Sequence, residues 1–63
     1  MSLDALQSKL KELEKLSNQD YYLKFYADGS SSIHSLQDDD FFIHNFTNAD
    51  LKQNLNKLIL RYK

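Results

Sequence analysis

The chain has 63 residues, a formal net charge of -1, one glycine, and neither cysteine nor proline. This length supports one small domain, 1–63, near the lower limit of what folds alone. The composition excludes disulfides and thiolate metal sites, a field strong enough to gather nucleic acid or anionic lipid, and any apolar run near the roughly 18 residues of a membrane span. A soluble, cytoplasmic protein is expected.

Residues 3–17 read as a helix. Leucines at 3, 6, 10, 13 and 16 recur at helical spacing, with Asp, Gln, Ser, Lys and Glu between them. Ser2 is placed to cap its start, and Asp4 lies in the first turn, where the helix dipole favours an acid. Asn18 suits a left-handed stop. Leu3, Leu6, Leu10 and Leu13 follow the 3-4-3 rhythm of a coiled-coil seam. Two readings of that stripe remain open: packing on the chain's own sheet, or a seam between two copies.

Residues 20–26 alternate like a strand and are rich in aromatic rings. Ala27-Asp28-Gly29 forms a tight turn in which Gly29 supplies the positive φ. Residues 31–36 return as the second strand. This hairpin puts Tyr21, Leu23, Phe25 and Ile33 on one face and Tyr22, Lys24, Tyr26, His34 and Leu36 on the other. Asp38-Asp39-Asp40 marks a second, exposed turn, because three adjacent carboxylates repel one another. Residues 41–46 form the third strand. Its inward set is either Phe41 with Ile43 or Phe42 with Phe46, depending on a one-residue shift. The second is preferred, because Phe46 and Leu51 occupy the two positions of a hydrophobic staple.

The second helix, 48–62, has a clear start. Thr47 caps it, and Asp50 is placed to close a short capping box. Leu51, Leu55, Leu58, Ile59 and Tyr62 line one face, and Leu60 points away. Lys57, Arg61 and Lys63 gather near the end, where the dipole favours cations. The order is α-β-β-β-α. A three-stranded antiparallel meander needs cover, so two helices packed on one face give a two-layer α+β domain.

Chemistry is hard to find. There is no cysteine nucleophile, no glycine-rich phosphate loop and no paired His-x-x-x-His, so no enzyme and no cofactor are expected. His34, His44 and the aspartate turn could reach a metal in one register, but two nitrogen ligands make a poor zinc site. No metal is expected.

Binding fits better. The chain has more large apolar side chains than 63 residues can hide, so a partner is expected to cover the surplus. The favoured reading is a small non-enzymatic protein-binding module and homodimer, with Leu3, Leu6, Leu10 and Leu13 as the dimer seam. Its partner surface is Tyr22, Lys24, Tyr26, His34, Asp38, Asp39 and Asp40, since aromatic anchors with a charged rim are typical of protein interfaces. Small chains of this type commonly serve as regulators or inhibitors that occupy a partner's surface. A phage-encoded inhibitor of a host defence nuclease would be one concrete form. The alternative is a nucleic-acid-binding accessory protein, using the Tyr22, Lys24 and Tyr26 face with Lys52, Lys57, Arg61 and Lys63 of the basic second helix.

Overall fold

The computed structural model describes residues 3–63, with side chains from Asp4 onward. The expected Ser2 cap and the side chain of Leu3 lie outside this range. The order is α1 (Leu3–Ser17), β1 (Tyr21–Phe25), β2 (Ser31–Ser35), β3 (Phe42–Asn45) and α2 (Asn48–Leu60). The strands form one antiparallel sheet in sequence order. Both helices cover one side of it, giving the two-layer α+β architecture that the apolar patterning implies.

One cluster holds the molecule together. Leu6 and Leu13 of α1, Tyr21 and Ile33 of the sheet, and Leu51, Leu55, Leu58 and Ile59 of α2 are all buried in it. Leu10, Leu23, Phe41 and Ile43 pack against its margin. Each fully buried aliphatic side chain contributes about 1.5–3 kcal/mol. Leu6, Leu10 and Leu13 of α1 therefore lie against the chain's own sheet and second helix. With Leu6 and Leu13 interior and Leu10 half-buried, the described part of the stripe presents no open seam to a second copy.

Local chemistry fixes the joints. The Ser17 hydroxyl donates back to the Leu13 carbonyl at 2.7 Å, and Asn18 turns left-handed at φ 57°, which ends α1 as expected. Gly29 at φ 89° closes the hairpin, with its N–H donating to the Tyr26 carbonyl. The Thr47 hydroxyl accepts from the Asp50 N–H at 3.1 Å and starts α2. Here the cap is one-sided: Asp50 supplies its backbone N–H, while its side chain makes no described return bond.

The preferred register of the third strand is reversed. Ile33 pairs with Ile43 and Ser31 with Asn45, so Phe41, Ile43 and Asn45 face the helices. Phe42 and Phe46 point outward, at 61% and 75% exposure. The staple is accordingly not formed: Leu51 is buried, and Phe46 rests edge-on against His44, ring centres 4.7 Å apart. Hydrophobicity alone could not decide this, because each choice buries two large apolar residues and one polar one. Asn45 decides it. Its amide donates to the Ser31 carbonyl at 3.4 Å and the Ser31 hydroxyl at 3.2 Å, and its oxygen accepts from Asn54 of α2 at 2.6 Å. A buried amide with those partners is tolerated. Tyr62 also departs from expectation, because α2 ends at Leu60 and leaves it exposed.

Candidate functional site

Among the described residues, no element covers the side of the sheet away from the helices. Cross-strand pairing sets its rows: Tyr22, His34 and Phe42 form one, and Lys24, Ser32 and His44 the next. Tyr26 and Phe46 follow toward the hairpin end. In the first row, Tyr22 and His34 have ring centres 5.0 Å apart and planes 14° apart. His34 and Phe42 are 6.0 Å apart, with planes 22° apart. These separations are close to the spacing of neighbouring strands, about 4.8 Å, so the three rings form one continuous ladder across the sheet. The Lys24 ammonium lies 6.0 Å from the centre of the Tyr22 ring.

Hydrogen bonds hold the next row. Ser32 is fully buried between the Tyr26 hydroxyl, at 2.9 Å, and His34 Nε2, at 2.6 Å. These bonds fix the His34 ring and anchor Tyr26 above the sheet. A serine bonded to an imidazole is also half of a nucleophile–base pair. Here, however, the hydroxyl is closed over, and no cavity occurs among the described residues. Attack on a substrate needs an approach that this arrangement denies.

The acidic turn stands at one end of the face, because it leads directly into β3 and the ring ladder. It is stitched in place: the Ser35 hydroxyl accepts from the Asp38 N–H at 3.2 Å, and the Asp38 carboxylate accepts from the Asp40 N–H at 3.1 Å. Asp38, Asp39 and Asp40 remain exposed. Tyr22, Lys24, Tyr26 and His34 therefore share one open face, with the three aspartates at its rim. Phe42, His44 and Phe46 belong to the same face, and sequence reasoning assigned two of them inward. The one signal for them was Phe41 and Ile43 as an alternative inward pair.

The two histidines share the face but do not oppose each other, since His34 pairs with Phe42 and His44 with Ser32. The described residues contain no group of three or more side chains able to hold a metal ion. No described helix is long and apolar enough to cross a membrane. The cations of α2 are in the other layer, and Lys63 is engaged with Glu12 at 3.2 Å.

No protein-family model matches the chain, and no curated protein or solved structure matches it either.

Proposed function

We propose that the protein is a binding module that occupies another protein's surface with the open face of its sheet, acting as a regulator or inhibitor without catalysis. The ring ladder of Tyr22, His34 and Phe42 carries this reading. Nucleobase binding needs ring faces free to stack. In the ladder, His34 has a neighbouring ring on each side, and Lys24 lies beside Tyr22. What reaches solvent is a compact apolar strip of fixed rings with an acidic rim. Rigid aromatic anchors of that kind suit a protein surface, because little side-chain freedom is lost on contact. The separation of the rings from the α2 cations works against the nucleic-acid alternative, which requires both on one surface.

The test is selection of ligands from a displayed peptide or protein library, followed by binding to variants. Ligands chosen on the wild type should lose at least about tenfold in affinity, or about 1.4 kcal/mol, on Tyr22→Ala and on Phe42→Ala. Lys57→Ala with Arg61→Ala should leave them unchanged. Circular dichroism checks that each variant keeps its fold. Selected ligands that ignore both ring variants would overturn the reading. So would tight, steeply salt-dependent binding of a single-stranded oligonucleotide that the α2 variant abolishes.

A further inference from the structure

We infer that the free edge of β3 pairs with the same edge of a second copy, antiparallel about a two-fold axis at His44, to make one six-stranded sheet. The argument begins with backbone groups. Asp20 accepts from Leu36, and Ser30 accepts from Tyr26. The even-numbered residues of β1 therefore bond toward β2, and Tyr21, Leu23 and Phe25 direct their N–H and C=O groups away from the sheet. The same alternation carried through β2 turns Ser31 and Ile33 toward Asn45 and Ile43. Phe42 and His44 are then left with outward N–H and C=O groups on the far edge.

The two edges differ. On β1, the Glu14 carboxylate accepts the outward Tyr21 N–H at 3.1 Å, and Lys24 adds a charge to the strand. Charged side chains at an edge discourage added strands. Residues 41–46, Phe-Phe-Ile-His-Asn-Phe, contain no acid, lysine, arginine or proline. Short as it is, that edge carries no charged side chain or proline to turn an added strand away.

A second copy is favoured over a foreign strand by the pattern along the edge. On the open face β3 reads Phe42, His44, Phe46, which is the same in both directions. The Phe46 ring lies on this face, since it meets His44 edge-on. Antiparallel pairing through His44 sets each Phe42 opposite Phe46 of the other copy and brings no like charges of acid or lysine together. The two His44 residues exchange a pair of N–H···O bonds at the axis, and each Phe42–Phe46 pair continues the ladder where the strand extends by one residue. The exposed Phe46 ring, whose ring contact among the described residues is with His44, gains a cross-strand aromatic neighbour. An interface of this type is isologous and closes on itself. It also sets two ring ladders side by side on one continuous face.

Solution mass by light scattering over a dilution series from micromolar to millimolar tests the inference. The wild type should approach twice its 7.4 kDa chain mass as concentration rises. Phe42→Lys with Phe46→Lys places ammonium opposite ammonium at both ring pairs and should stay monomeric. Phe42→Lys with Phe46→Glu places each new ammonium opposite a new carboxylate and should dimerise again, in a manner that salt weakens. Amide exchange on the wild type needs no variant: the His44 N–H should slow by at least about tenfold with concentration, while Leu23 and Phe25 on the other edge should not. A monomer throughout, a dimer indifferent to the paired lysines, or protection at Leu23 and Phe25 in place of His44 would overturn it. No ligand enters these readouts, so their failure leaves the open-face reading standing.

Discussion

Asn45 shows how one polar side chain can set the register of a strand. It is fully buried, yet every described bond of its amide is to a partner the fold supplies: Ser31 on β2, Ile43 on its own strand and Asn54 on α2. Asn45→Ala leaves the Asn54 amide and the Ser31 groups without that partner. The expected loss is about 1–3 kcal/mol, read as a shift in the urea unfolding midpoint at unchanged slope. Tyr21 is sensitive to pH in the opposite sense from an acid on the surface. Burial first, and the neighbouring Tyr62 hydroxyl second, push its phenol above the ordinary 10.0. Folding thus favours the neutral form. The stability it provides is fully present below the unfolded value of about 10 and declines as pH rises through the higher folded value. Tyr21→Phe should flatten the alkaline decline of stability, although it also removes the hydroxyl's 3.2 Å bond to Gln19. Unfolding titrations at a series of pH values above neutrality would show this.

The β1–β2 hairpin has its own pH signature. The Ser30 hydroxyl at 2.6 Å and the Ser30 N–H at 3.0 Å both donate to the Asp28 carboxylate and hold its pKa below the ordinary 3.8. That support is present above the unfolded value of about 3.9 and is lost as pH falls through the lower folded one. Asp28→Ala should melt below the wild type at neutral pH, and the gap should close in acid. Thermal melts across the acid range check it. The elements that were legible in the sequence carry unambiguous local signals: leucines at helical spacing, Asn18 and Gly29 at left-handed positions, and Thr47 ahead of α2. The rest depended on tertiary partners. Phe46 beside Leu51 looked like a staple only because nothing local says that Asn45 finds Asn54 across the core. The same gap hid half of the open face. Tyr22, Lys24, Tyr26 and His34 followed from one glycine turn, whereas Phe42 and Phe46 required the register that Asn45 sets.

At the scale of the whole molecule, a domain of 63 residues has little stability in reserve. At about 0.05–0.15 kcal/mol per residue, the total is roughly 3–9 kcal/mol. Leu13 is fully buried among residues of both helices and the sheet, and Leu13→Ala typically costs about 2–5 kcal/mol. A large unfolded population is expected at room temperature, visible in the amide dispersion of an NMR spectrum. Leu16→Ala, on the exposed side of the same helix, should change stability by no more than about 0.5 kcal/mol. The carboxylate of Glu14 bears on another property of the molecule. A sheet able to recruit strands at both margins grows into a fibre. On the inference that a second copy takes the β3 margin, Glu14 and Lys24 on the other margin would stop growth after a single addition. Concentrated solutions should therefore remain clear and fail to bind amyloid dyes, while Glu14→Ala, with Lys24→Val to remove the second charge, should gel.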